Sequence, residues 1–276
     1  MKFLNEGFRS KAYKDESRII LVGQNENSFA SFEKDAKILN LLRTFIKDLK
    51  TPNNVEVIKP CAKYLFGALS YDIIDGNILK PELINDNNID SIVGSLSSFL
   101  KQLAEIDLSG FEPNYDAKKI IAKEKEYITK NMAILLPFVD DNIRNQLLNW
   151  QEKYYQYLDD EIKLNVTHGD LWYENMIIDE SSTNLVGIID FEHAGVFDKA
   201  IDYVPALYLG IDFTNKLLQA SGLSLDYYKV LRLFAIRRQV IGFKYLVKHF
   251  PEEIDEEIEK TKSVLNDFLE SVPRTI

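Results

Sequence analysis

Cysteine is almost absent. Cys61 is the only one in 276 residues, so an internal disulfide is excluded and a reducing, cytoplasmic setting is expected. The three histidines, His168, His193 and His249, are too scattered for a zinc site. No apolar run approaches the length of a membrane span, and the opening MKFLNEGFRSKAYKDES has no apolar core of the kind a secretory signal carries. Basic excess is missing as well. Lys and Arg number 33 against 43 Asp and Glu, a net charge of −10, which disfavours nucleic acid and is compatible with a cationic small substrate. Repeats, low-complexity tracts and linkers are absent, and nothing implies a protein partner.

What remains is an ordinary globular composition, 46% hydrophobic and 28% charged, in a chain long enough for one domain or a two-lobed unit. Residues 3 to 22 read as strands broken by turns. Phe3-Leu4 precedes a turn at Asn5-Glu6-Gly7, Ala12-Tyr13 follows, and Ile19 to Val22 ends at Gly23. Ser31 to Leu42 has helical spacing, and Tyr64 to Ile74 is an apolar stretch ending in the turn pair Asp75-Gly76. Beyond it the pattern is mainly helical. Ile89, Ile92, Val93, Leu96, Phe99, Leu100 and Leu103 fall on one face. Residues 116–136, 141–157, 225–249 and 252–269 read as further helices. A strand-rich lobe, residues 1–75, thus precedes a larger helical one, residues 76–276, and a cleft between them suits a nucleotide.

The chemistry concentrates in HGDLWYEN, from His168, and GIIDFEH, from Gly187. Met176 to Ile178 and Leu185 to Ile189 read as two strands joined by the polar turn Asp179 to Asn184. A hairpin would return Asp190 to the side of Asn175. Asn175 offers an amide oxygen and Asp190 a carboxylate, the hard donors Mg²⁺ prefers alongside phosphates and water. Asp170 is then the carboxylate that orients an acceptor hydroxyl and takes its proton.

These residues resemble the aminoglycoside phosphotransferase family, and the similarity spans nearly the whole chain. The strongest match is HGDLWYENMIID and LVGIIDFEHAGVFDKAIDY, within residues 168–203. The HGDLW string is also similar to fructosamine kinases. The resemblance implies an α+β, two-lobed protein-kinase-like fold with ATP or GTP as co-substrate, and an aminoglycoside as the first acceptor to consider. The alternatives are a sugar, a ketoamine or an amino alcohol, and, in another class, a nucleotide-binding pseudokinase. EGFRSKAY would lie in the hairpin covering the nucleotide, with Gly7 and Lys11 in it and Lys14 directly after it. Asp35, or Glu33 by register, would be the acid on the first helix, and Tyr71 and Ile73 would lie in the lobe connector that holds the purine. Glu174, Glu192 and Asp198 are candidates to meet a cationic acceptor. Asp198 and Asp202 are also read as tying the metal loop to the catalytic loop. His168 is read as a brace, and Trp172 as packing under the loop.

One departure stands out. The third strand of such a lobe ends in a lysine that contacts phosphate, and Val22 occupies that place. Losing a charge-assisted contact costs about 1.5–3 kcal/mol unless another group replaces it. Arg9, Lys11 or Lys14 is left to supply the charge.

Overall fold

A computed structural model describes residues 1–7 and 9–269 of the chain. The small lobe is a five-stranded antiparallel sheet: β1 (Lys2–Glu6), β2 (Ser10–Asp15), β3 (Arg18–Gly23), β4 (Glu56–Ile58) and β5 (Ala68–Asp72), in the order β1-β2-β3-β5-β4. The first strand runs through Asn5 and Glu6, where a turn is expected from sequence. The chain reverses instead between Glu6 and Ser10, and Phe8 lies outside the described residues.

Helix α1 (Ser28–Phe45) covers one face of this sheet, burying Phe32 and Ala36 against Leu69 and Tyr71, with Ile19 and Leu21 alongside. Alternation of side chains along a strand sends Ile20 and Val22 to the other face, where they pack with Ile58, Tyr64 and Ala68. Val22 therefore points away from α1. A lysine there would not meet an acid on that helix, which corrects the assignment of Val22 to the missing lysine's place.

The larger lobe carries two short sheets. One pairs β7 (Leu164–Thr167) with β10 (Gly195–Asp198); the other orders β6 (Asn77–Ile78), β8 (Met176–Ile178) and β9 (Leu185–Ile188) as β6-β8-β9. Its helices are α2 (Ile89–Ala104), α3 (Leu108–Phe111), α4 (Ala117–Leu135), α5 (Asp141–Asp160), α6 (Ala200–Tyr203), α7 (Ile211–Ala220), α8 (Tyr228–His249) and α9 (Ile254–Leu269). The apolar stripe of α2 is buried from Ile92 to Leu103 as its spacing dictates, each fully buried Leu or Phe contributing ~1.5–3 kcal/mol. Asn88, at its start, donates to the carbonyls of Leu83 and Ser182 at 2.8 and 2.7 Å. The helix is thereby pinned to the turn between β8 and β9.

Trp150 stacks on Tyr154 at 5.3 Å and donates its indole N–H to the carbonyl of Leu233 at 3.0 Å. Beside them Arg237 on α8 forms a two-pronged ion pair with Glu124 on α4, at 2.7 and 3.0 Å, and Glu124 also accepts the Tyr154 hydroxyl at 3.0 Å. Both charges are buried, so removing one partner alone would cost ~3–5 kcal/mol. Among the described residues no helix is long and apolar enough to cross a membrane.

Candidate active site

The loop after β7 is held from beneath by buried groups. Asp202 accepts the amides of His168 and Gly169, each at 2.8 Å. Burial raises the Asp202 carboxyl to about 7, although both amide bonds favour its charged form. His168 is fully buried, and desolvation lowers its imidazole to about 4, so it stays neutral. Its Nδ1 accepts the Asp170 amide at 3.3 Å, which leaves the ring proton on Nε2 to donate to the carbonyl of Ile189 at 3.0 Å. The ring is a brace between the two functional segments. Gly169 has φ +82°, and a Cβ there would lie 2.3 Å from the His193 carbonyl oxygen, so no other residue fits.

The hairpin forms as the spacing requires. Asp179 closes its turn by accepting the amide of Thr183 at 2.7 Å and the side-chain amide of Asn184 at 2.8 Å. Met176 faces Ile188 across the strands, and one step further the Ile189 amide donates to the Asn175 carbonyl at 2.9 Å. Asp190 comes next, exposed, with its backbone in the left-handed region at φ +63°. Asn175 Nδ2 donates to the Asp170 carbonyl oxygen at 2.8 Å and lies 3.5 Å from its carboxylate. The amide nitrogen thus faces Asp170 and the amide oxygen is turned away from it. Asp170 is half-buried. Desolvation raises its carboxyl above 3.8, the positive potential of His193 and Arg238 opposes this, and the charge of Asp190 adds to it.

These donors fit a hard dication: one amide oxygen, and one carboxylate that makes no hydrogen bond or ion pair among the described residues. No cluster of three His, Cys, Asp or Glu side chains stands ready to hold a metal by itself among the described residues. Such an ion would depend on phosphate oxygens to complete its shell.

The nucleotide-side candidates separate. Gly7 is exposed in the β1–β2 turn and donates its amide to the Ser10 carbonyl at 2.9 Å. Lys11 pairs with Glu6 at 3.2 Å, and Lys14 is exposed opposite Ile19. Glu33 is exposed, whereas Asp35 is buried with its carboxyl raised by desolvation. Its partner is Arg9, at 2.7 Å. Tyr71 is buried under α1 with its hydroxyl pushed up by desolvation and by the nearby Asp190 charge. The Ile73 amide is already committed to the Ser17 carbonyl at 2.9 Å.

The acceptor-side candidates need correction. Asp198 is buried at 1% exposure and its oxygens accept from the Tyr157 hydroxyl at 2.7 Å and the Ala200 amide at 2.8 Å, so it cannot face an acceptor. Glu192 pairs with Arg9 at 3.0 Å and so faces the small lobe. Glu174 alone of the three is exposed on the catalytic loop without such a tie. Trp172 is half-buried and does not simply pack under the loop. Its ring lies 3.5 Å from the Arg238 guanidinium and edge-on to Tyr208 at 5.0 Å. Arg238 escapes the sequence reading, although two adjacent arginines between the apolar runs 233–236 and 240–243 are a signal that one must be paired and the other placed at a surface of use. Asp170, Trp172, His193 and Arg238 line a cavity of about 180 Å³. A larger one of about 520 Å³ lies beyond Tyr208, against Arg232, Gln239 and Lys260.

A family model described as "Phosphotransferase enzyme family" matches residues 2–234. A GDP and kanamycin complex of APH(2")-IIia superimposes with a TM-score of 0.82 at 22% identity, over 96% of this chain and 93% of that one. The ADP-bound aminoglycoside phosphotransferase APH(2'')-Ib gives 0.69 at 15% identity, over 98% and 91%. The macrolide 2'-phosphotransferase MphH from Brachybacterium faecium gives 0.66 at 13% identity, over 96% and 91%. Identities this low establish a shared two-lobed, kinase-like α+β fold.

Proposed function

The chain belongs to the phosphotransferase enzyme family, and from that premise we propose that it transfers the γ-phosphoryl group of ATP or GTP, with Mg²⁺, to a hydroxyl of a small polar molecule. One observation carries the reading: the β8–β9 hairpin brings Asp190 beside Asn175, whose side chain is bonded to Asp170. A proton acceptor and two hard-oxygen donors meet at one edge of the interlobe cleft. Asp170 orients the hydroxyl and takes its proton at or after the transition state, and its raised carboxyl suits it as an acceptor. Asn175 and Asp190 hold the ion. When bound, magnesium neutralises phosphate charge so that the γ-phosphorus can be attacked.

Residues 1–75 form the nucleotide-binding lobe and residues 76–276 the catalytic and acceptor lobe in this reading. The purine lies at the connector, residues 71–74, and meets backbone groups other than the Ile73 amide. A cytoplasmic site of action accords with the single cysteine. An aminoglycoside is the first acceptor to test, because a structural neighbour is described with kanamycin bound. The second reading, a metabolic hydroxyl compound, is favoured by Arg238, which lines the same cavity as Asp170 and would repel a polycation there.

Nucleotide consumption, with and without Mg²⁺, across aminoglycosides, sugars and amino alcohols tests all of this. Metal-dependent turnover with one class supports phosphotransfer and names the acceptor. Tight nucleotide binding with no turnover on any acceptor would replace the reading with a nucleotide-binding module.

A further inference from the structure

We propose that Arg9 is the small lobe's phosphate-binding cation, anchored by Asp35, and that Glu192 holds its place until a nucleotide arrives. The inference rests on the phosphotransfer reading and assigns a residue that this reading leaves open.

Arg9 joins three segments. Its carbonyl accepts the Gln24 amide at 3.0 Å and the Ser28 hydroxyl at 3.1 Å, which fastens the start of β2 to the end of β3 and the start of α1. Its guanidinium lies 5.4 Å from the centre of the Phe32 ring. A single nitrogen, Nη2, contacts both Asp35 at 2.7 Å and Glu192 at 3.0 Å. Nε of Arg9 and Oδ1 of Asp35 are buried with no partner among the described residues. A guanidinium with bonding capacity to spare therefore sits against Glu192, two residues along the chain from Asp190. Asp190 and Asn175 would hold the metal, so a triphosphate drawn to it would come within reach of this side of the small lobe.

The two acids are not equivalent. Asp35 has 6% of its side chain exposed and Glu192 has 33%. A buried carboxylate cannot give up its ion-pair partner cheaply, whereas a half-exposed one can turn to water. Phosphate oxygens suit the planar fork of an arginine at least as well as a carboxylate does, so Glu192 is the partner to be exchanged. Lys11 and Lys14 lack this placement: one pairs with Glu6, the other is exposed.

The test is direct titration of the full chain, with Mg²⁺, using ATP and adenosine, or GTP and guanosine if the guanine pair binds wild type better. Arg9→Ala should weaken triphosphate binding roughly tenfold or more and leave nucleoside binding unchanged. Arg9→Lys should fall between Arg9→Ala and wild type, because it keeps the charge and loses the fork. Glu192→Gln should bind the triphosphate as tightly as wild type or tighter, since a competitor is gone. Should Arg9→Ala fail to fold, Arg9→Gln carries the same comparison. Wild-type triphosphate affinity in the Arg9 variant would overturn the proposal. So would an equal loss of nucleoside and triphosphate, or a loss in Glu192→Gln as large as that in Arg9→Ala. A wild type that binds no nucleotide would instead fail the phosphotransfer reading itself.

Discussion

The loop that carries Asp170 and the segment that carries Arg9 are held by different physics. Beneath the loop, Asp202 and His168 are buried and bond to backbone groups, two amides for the acid, an amide and a carbonyl for the ring. Over the cleft, the side chain that matters is held by two carboxylates, one of them a third exposed. Buried backbone bonds leave a group one orientation, because the alternative is an unpaired polar atom. A half-exposed ion pair has water and other anions as alternatives. In the proposed reading, reaction geometry belongs to the rigid side and adjustment to a ligand to the small lobe.

The largest effects should come from the rigid side. Asp190→Ala removes the only carboxylate assigned to the ion and should abolish Mg²⁺-dependent turnover without changing the melting temperature by more than a few degrees. Asn175→Ala should be milder, since water can replace a neutral amide oxygen. Near-full activity of Asp190→Ala at saturating nucleotide would remove the metal assignment. Asp170→Asn should lower kcat ~10²–10⁴-fold with little change in nucleotide affinity. A variant that loses nucleotide binding and keeps its kcat would reverse the roles of Asp170 and Asp190.

The buried pair beneath the loop gives a smaller effect with a definite sign. His168 falls from its ordinary 6.5 to about 4 on folding, so its contribution to stability is complete above 6.5 and lost as the pH drops through about 4. Asp202 rises from 3.8 to about 7, so its contribution is complete below 3.8 and lost as the pH climbs through about 7. Between roughly pH 4 and 6.5 the two slopes oppose each other. His168→Gln leaves the Asp202 slope, and its melting temperature should fall as pH rises across that window. Asp202→Asn leaves the His168 slope and should show the reverse. Melting curves at the two ends of the window decide it, and slopes of the same sign in both variants would refute the opposition. The smallest effects should lie on the hairpin away from Arg9. Lys11→Ala and Lys14→Ala should each leave nucleotide KM within about twofold, because exposed charges of this kind contribute within about 0.5 kcal/mol. A clear rise in either would move the phosphate cation off Arg9.

The convergence of Asn175 and Asp190 is legible in the chain because the interactions that produce it are local. Six polar residues between two apolar runs make a hairpin, and a hairpin has one geometry. The stripe of α2 and most helix limits are legible for the same reason of regular spacing. The partner of Asp35 is not. Arg9 and Asp35 meet because the residue before β2 is fastened through its carbonyl to the start of α1, and nothing within either segment announces the other. Strand parity is similarly hidden: without knowing which face of β3 meets α1, Val22 looks like the lysine's place. Glu192 is read from its neighbours in sequence as an acid for a cationic acceptor, and only the packing of the small lobe against it shows Arg9 as its cation.

The Glu124–Arg237 pair has a consequence for how the chain is made. Its two members are 113 residues apart. During synthesis, α4 leaves the ribosome long before α8 exists, and at roughly 5–20 residues per second the wait lasts several seconds or more. Throughout that interval Glu124 cannot be sealed into a dry core, because its charge has no counterpart. The helices around it can associate but cannot close. Burial of the Glu124 face of α4 therefore waits for α8.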